Sequence, residues 1–199
     1  MTYASSNKAA SFPPLSRVHC FVVTGSAYVG KTSTLLAISR HYPDRVLPEL
    51  ALDVLRPGTS ILGRCRSGPA IIAFQRDIVR EKVELLETKR PGWVGFSDRG
   101  VPDALAYLRW QGINPPRDLV KASLRIRYAR VVFIFPPWRK VYQRSVVRPY
   151  SFDDMLELDK VIRETYESLG YTMVTVPRSS VADRTRFLVG YLGHLGVTW

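Results

Sequence analysis

The sequence has little cysteine, little negative charge and no long apolar run. Its two cysteines, Cys20 and Cys65, are too few and too far apart for a disulfide framework or a zinc-ligand motif. Cys20 sits in an apolar run and is expected to be a buried thiol. No apolar stretch approaches the ~18 residues needed to span a bilayer. The N-terminus lacks the charged-then-apolar pattern of a secretory signal, so a reducing, cytoplasmic setting is the expectation. Asp and Glu total 17 against 29 Lys and Arg, leaving a net charge of +12. Such a balance suits polyanionic partners: phosphorylated small molecules, anionic lipid or nucleic acid. It equally suits a basic surface that serves solubility. No internal repeat or second domain boundary is visible. At 46% hydrophobic and 23% charged residues, the chain can bury a core and does not read as disordered.

Short β-branched and aromatic runs alternate with longer helical patterns. Residues 1–17, rich in Ser, Ala and Pro, read as a mobile tail. Residues 18–199 read as one domain. Val18 to Thr24 is expected as a buried strand ending at Gly25, and Lys31 to Tyr42 as a helix. A second strand ends near Arg45 to Pro48, and residues 56–68 read as a loop. Ile71 to Lys89 has helical spacing, with Ile72, Val79, Val83 and Leu86 able to share one side and Ile71, Phe74, Ile78 and Leu85 on an adjacent stripe. A third strand covers Trp93 to Ser97. Helices are expected over Pro102 to Trp110 and Leu119 to Tyr128. The fourth strand, Arg130 to Phe135, is stopped by Pro136-Pro137. Helix Phe152 to Leu169, strand Tyr171 to Val176 and helix Val181 to Leu195 complete the series. Strands alternating with helices make an α/β fold, a parallel sheet with helices on both faces.

Gly25-Ser26-Ala27-Tyr28-Val29-Gly30-Lys31-Thr32 fits G-x-x-x-x-G-K-[ST] at every defined position, between an expected strand and an expected helix. Gly25 and Gly30 permit backbone angles that turn successive N–H groups toward phosphate oxygens. The following helix adds its positive end. Lys31 would reach the β- and γ-phosphates, Thr32 offers a hydroxyl to Mg²⁺, and Ser33 lies beside it. The expected ligand is a nucleoside triphosphate, ATP or GTP, with Mg²⁺.

Two absences narrow the class. The third strand ends in Asp98-Arg99 rather than Asp-Glu, so the water-polarising Glu of motor ATPases is missing. No Asn-Lys-x-Asp guanine motif occurs. Asp98 can hold Mg²⁺ directly or through water. An Asp-Arg pair there, with an acid such as Glu49 at the end of the second strand, resembles nucleoside and nucleotide kinases. In those, the Glu takes the acceptor hydroxyl's proton and the Arg holds it near the γ-phosphate. Glu49 could instead answer a helix dipole, and Arg99 could simply pair with Asp98 or Asp103. After strand four, residues 138–150 form a basic stretch in the position of a kinase lid, where Arg144 and Arg148 would share a helix face and close over phosphates. Such a stretch also fits a solvated basic face. Arg178, in Pro177-Arg178-Ser179-Ser180 after strand five, borders the expected base site, and Ser180 can cap the last helix. Phe74 and Gln75 could face an acceptor ring, or Phe74 the core.

The chain resembles the small P-loop proteins known as AAA-type predicted ATPases, whose relatives include a ribosylnicotinamide kinase domain. The likeness spans Val18 to Leu195. It rests on Gly25 to Thr32, Pro48-Glu49, Phe74-Gln75, Ser97 to Ala104, Phe135-Pro136-Pro137-Trp138 and Val176-Pro177-Arg178. It implies a three-layer, kinase-like P-loop fold with a five-stranded sheet in the order 2-3-1-4-5. The implied activity is phosphoryl transfer to a small-molecule acceptor. The wider group is also associated with GTP and phosphoinositides, so a nucleotide-switched module for an anionic lipid or protein partner is an alternative, as is a stand-alone NTPase. One departure stands out. Relatives often carry acids between the Pro-Pro-Trp and the lid arginine, whereas here the charges are Arg139, Lys140, Arg144 and Arg148.

Overall fold

A computed structural model of the chain describes residues 19–50, 67–142 and 150–197. The expected tail, Cys65, and the stretch 143–149 with Arg144 and Arg148 lie outside the described residues. Five strands are described: β1 (His19–Thr24), β2 (Val46–Leu47), β3 (Val94–Asp98), β4 (Val131–Ile134) and β5 (Thr172–Thr175). All pair in parallel in one sheet, in the order β2-β3-β1-β4-β5. That is the order the resemblance implied. The described helices are α1 (Lys31–His41), α2 (Gly68–Glu87), α3 (Val101–Trp110), α4 (Arg117–Arg125), α5 (Phe152–Ser168) and α6 (Val181–His194).

Each central strand is apolar on both sides because helices cover both faces. From β1, Phe21 and Val23 pack with Leu35 and Ile38 of α1 and with Leu188 and Leu192 of α6. Cys20 and Val22 face the opposite way, into a core with Val83, Leu86, Leu105 and Ile162. Phe21, Phe96 and Phe133 meet with ring centroids 6.0 to 6.3 Å apart, a spacing at which tilted aromatic pairs attract. The thiol of Cys20 is buried as expected, and burial pushes it up to about 12.

Several boundaries differ from expectation. Helix α2 begins at Gly68 rather than Ile71, because Pro69 is tolerated in a first turn whose N–H groups have no intrahelical partner. Its buried face holds Val79, Val83 and Leu86 as expected, but Ile72 is only half-buried, and Gln75 and Lys82 are buried beside them. Polar strand ends lie beneath Lys82 and give its ammonium partners. Helix α4 runs Arg117–Arg125 rather than Leu119 to Tyr128, and Ile126 is extended. This frees Tyr128 to accept a hydrogen bond from the Val101 amide, 3.1 Å, at the start of α3. Ser180 caps α6 as expected, accepting from the Asp183 amide at 3.1 Å.

The chain runs from β1 to β2 and β3 on one side, then to β4 and β5 on the other. Crevices outside the carboxyl ends of strands, where the order reverses, are where such sheets bind ligands. Here that crevice holds the loop after β1.

Candidate active site

The loop between β1 and α1 has the backbone that its glycines imply. Gly25 (φ 132°), Tyr28 (φ 57°) and Gly30 (φ 86°) all have positive φ. A Cβ on Gly25 would run into the Phe135 carbonyl of the neighbouring strand end, and one on Gly30 would meet the Arg184 guanidinium at 2.5 Å. Gly25 is thus required by conformation and by space, and Gly30 by conformation, with the flexible end of Arg184 in the path of a Cβ. Lys31 is buried, and its ammonium donates to the carbonyls of Gly25 (3.1 Å) and Ser26 (2.7 Å). Ser33 is exposed on the first turn of α1, next to Thr32.

Thr32 and Asp98 come together from α1 and β3: Thr32 Oγ1 donates to Asp98 Oδ2 at 2.9 Å. The other carboxylate oxygen, Asp98 Oδ1, is buried without a hydrogen-bond partner. A buried acceptor of this kind calls for a ligand. A hydroxyl and a carboxylate beside a phosphate loop fit Mg²⁺, which usually takes one or two protein oxygens together with phosphate and water. Burial pushes the Asp98 carboxyl up, and Glu49 adds to that. Lys31, Arg99 and the Thr32 hydrogen bond oppose it.

Arg99 follows directly, with φ 63°, a left-handed conformation costly for a residue with a Cβ. Its amide donates to the Val23 carbonyl at 2.9 Å, which holds the turn against β1. Its guanidinium donates to Glu49 Oε1 (2.9 Å), the Gly25 carbonyl (3.0 Å) and Asp103 Oδ1 (3.3 Å), and lies over the Tyr107 ring. Burial opposes the charge, but Tyr107, Glu49, Asp103 and Asp98 hold the guanidinium well above the ordinary arginine range. Asp103 is saturated by further donors: Thr24 Oγ1 (2.6 Å), Tyr166 Oη (2.6 Å) and the Gly100 amide (2.9 Å). Arg99 therefore does pair with Asp103, and it also takes Glu49. The strained turn aims one cation at the phosphate loop and at the acid across from it.

Above this charged floor opens a pocket that is partly open to solvent. Glu49, Asp98, Arg99 and Asp103 lie at its polar end, and Ile71, Phe74, Val79, Val101, Tyr107 and Met155 contribute to its walls. Gln75, also on the wall, is buried on α2. Phe74 and Gln75 thus reach the same cavity. A mainly apolar cleft with a few convergent polar groups is the usual form of a small-molecule site.

A family model described as an AAA domain matches residues 20–184. The chain belongs to this AAA domain family. No curated protein matches this AAA domain chain by sequence. Solved structures similar to it share the fold at low identity. Thymidylate kinase from Candida albicans superposes with a TM-score of 0.66 at 11% identity, covering 90% of this chain and 93% of that one. Deoxyadenosine kinase from M. mycoides gives 0.63 at 11%, covering 88% and 99%. NadR, solved in complex with NAD and AMP-PNP, gives 0.65 at 12%, covering 92% of this chain but only 51% of that one. The AAA domain here thus has the P-loop fold seen in nucleoside and nucleotide kinases. None of its described helices is long and apolar enough to cross a membrane.

On the far side of the AAA domain's loop, Arg178 is exposed and donates to the Pro137 carbonyl at 3.1 Å, joining the strand-five loop to the strand-four loop. Two cations at the site were missed by sequence reasoning. Arg184 of α6 is buried, donates to the Val29 carbonyl at 2.8 Å, and lies over the rings of Phe135 and Trp138. Nothing in the local pattern of α6 marks it. Lys82 is buried on α2 and donates to Pro48 O, Asp98 O and Ser97 Oγ. Its signal was available: a lone cation inside the apolar series Val79, Val83, Leu86. Burial pushes its ammonium down, against Asp98, Cys20, Asp103 and Glu49.

Proposed function

We propose that this chain is a Mg²⁺-dependent P-loop kinase that transfers the γ-phosphoryl group of ATP or GTP to a hydroxyl of a nucleoside- or nucleotide-like acceptor. One observation carries this reading. The apolar pocket ends on the Glu49–Arg99 pair, directly beside the Thr32–Asp98 contact and the phosphate loop. A hydrolase needs a poised water there, but this geometry offers a cavity for a second substrate. Phosphoryl transfer asks mainly for alignment and charge neutralisation, and the site supplies both.

On this reading the loop amides and Lys31 would hold the β- and γ-phosphates. Thr32 and Asp98 would hold Mg²⁺, which when bound would neutralise charge on the phosphate oxygens. The acceptor oxygen attacks the γ-phosphorus, the bond from that phosphorus to the β–γ bridging oxygen breaks, and the nucleoside diphosphate leaves. The hydroxyl proton goes to Glu49. Arg99 orients Glu49 and carries positive charge toward the loop through its bond to the Gly25 carbonyl. On this reading Arg178 would border the base, and Arg144 and Arg148, which lie outside the described residues, would add positive charge to the phosphates.

The test is nucleotide turnover with Mg²⁺ against a panel of nucleosides, nucleotides and cofactor precursors, run with ATP and with GTP. At least one acceptor is expected to raise turnover well above background, and Glu49→Gln to remove the stimulation while sparing nucleotide binding. Triphosphate turnover that no acceptor raises would sink the reading.

A further inference from the structure

We propose that Lys82 is a positioning residue of this site, a buried ammonium that ties the ends of β2 and β3 together and so sets Glu49 against Asp98 and Arg99. Its catalytic consequence rests on the kinase reading above. Its structural half stands without it.

The need for such a tie begins with β2. This edge strand has two residues, paired Val46 to Phe96 and Leu47 to Ser97, and then the ladder stops. The next residue is Pro48, which has no N–H to continue it. Glu49 follows at once. The β2–β3 register therefore ends before Glu49, although its carboxylate must meet groups on β3.

Lys82 links the two strand ends. Its ammonium donates to the Pro48 carbonyl at 2.8 Å, the Asp98 carbonyl at 3.0 Å and Ser97 Oγ at 3.1 Å. An ammonium has three donors, and these bonds use all of them, so Lys82 holds the frame and not a ligand. Ser97 Oγ passes the constraint on by donating to the Arg99 carbonyl at 2.7 Å. One cation thus fixes the carbonyl before Glu49, that of Asp98 and, through Ser97, that of Arg99. Arg99 spans the same gap from the side-chain side, at 2.9 Å from Glu49. Lys82 is 2% exposed, and its three acceptors are uncharged groups. Burying a cation this way is costly, and an apolar residue would complete the stripe of Val79, Val83 and Leu86 without that cost. Holding two strand ends in register is a sufficient reason for the charge to be there. A shift of about 1 Å in a reacting group costs about 10²-fold in rate.

The test uses the full chain carrying Lys82→Met. Backbone amide exchange across residues 46–50 is expected to accelerate by about tenfold or more, while β1 and β4 stay protected. Mg·ATP affinity by calorimetry is expected to fall far less than kcat, since the loop amides and Lys31 are untouched and only the Asp98 main chain loses a bond. With deoxyadenosine and thymidine as probe acceptors, kcat is expected to fall about 10²-fold, with a much smaller change in KM for ATP. Adding Glu49→Gln to Lys82→Met should then cost little more, because the lysine acts through that acid. Unchanged exchange across 46–50, or losses that simply multiply in the double variant, overturns the proposal. If the unmodified chain phosphorylates neither nucleoside, that counts against the kinase reading, and the exchange measurement still decides the role of Lys82. If Lys82→Met does not fold, Ser97→Ala removes one of the three acceptors. It should accelerate exchange at the same residues to a smaller degree, and no change there is equally an overturning result.

Discussion

On the β2–β3 flank of the phosphate loop, Arg99 joins Glu49 and Asp103 in an ionic chain, besides its bond to the Gly25 carbonyl. On the β4–β5 flank, the two cations beside the loop, Arg178 and Arg184, bind main-chain carbonyls without an ionic chain of that kind. Arg178 reaches the Pro137 carbonyl, and Arg184 reaches the Val29 carbonyl while lying over Phe135 and Trp138. Paired side chains set one geometry, because the guanidinium and both carboxylates must be in place for the chain to close. Carbonyls exist whatever the side chain, so the second flank depends on backbone course and tolerates substitution. The first flank is built for directing chemistry, the second for steadying a loop.

The contrast breaks most sharply at Arg99. Arg99→Met leaves Glu49 and Asp103 as buried carboxylates without their shared cation, which costs about 3–5 kcal/mol. A loss of roughly 10 °C in melting temperature is expected for a chain of this size, with acceptor-stimulated turnover abolished. Thermal unfolding and the acceptor assay check the two halves separately. Next comes Gly30→Ala, between the flanks. Its φ of 86° and the Arg184 guanidinium in the path of a Cβ should weaken Mg·ATP binding by about ten- to hundredfold, the equivalent of about 1–3 kcal/mol of backbone strain. Pairing it with Arg184→Ala should recover the steric part and leave the strain, as calorimetry can resolve.

A pH series sharpens the charged flank further. Because burial first and Glu49 next raise the Asp98 carboxyl, the proton competes with Mg²⁺ above the ordinary carboxylate range. Mg·ATP affinity should climb with pH through that raised value, by up to about tenfold per unit, and then level off. Asp98→Asn should flatten the climb. The ligand-free fold runs the opposite way. A carboxyl with a raised folded pKa costs stability as pH rises from its unfolded value through its folded one. The smallest effect is expected on the other flank. Arg184→Met loses one hydrogen bond to the loop, about 1 kcal/mol, and so about fivefold in Mg·ATP affinity. A loss matching that of Gly30→Ala would mean the flanks are more alike than their bonding implies.

Much of this was legible in residue order alone. Gly25 to Thr32 announces its backbone because only glycine adopts the needed angles cheaply, and Asp98-Arg99 is marked by its place at a strand end. Strand order came with the family likeness, and the sheet has it. What stayed hidden depends on register across space. Lys82 finds Pro48 and Asp98 only once β2 and β3 are aligned, and Arg184 meets Val29 only once α6 lies against the loop. Helix periodicity places apolar residues inward, but it cannot say which polar residue will find partners there. Lys82 is such a residue, buried within the expected apolar face of α2.

The pocket's apolar walls rise from helices, whereas its polar floor is made mainly by strand ends and the turn at Arg99. Of the six wall residues named above, five make no hydrogen bond to the ionic chain, and Tyr107 meets it through its ring over Arg99. Shape and reactivity are therefore carried by separable parts of one cavity. A lineage can exchange Ile71, Phe74 or Met155 one at a time, reshaping the cavity around a new molecule, while the groups that would move a phosphoryl unit keep their places. Such modularity lets one scaffold diversify its substrates without reinventing its chemistry.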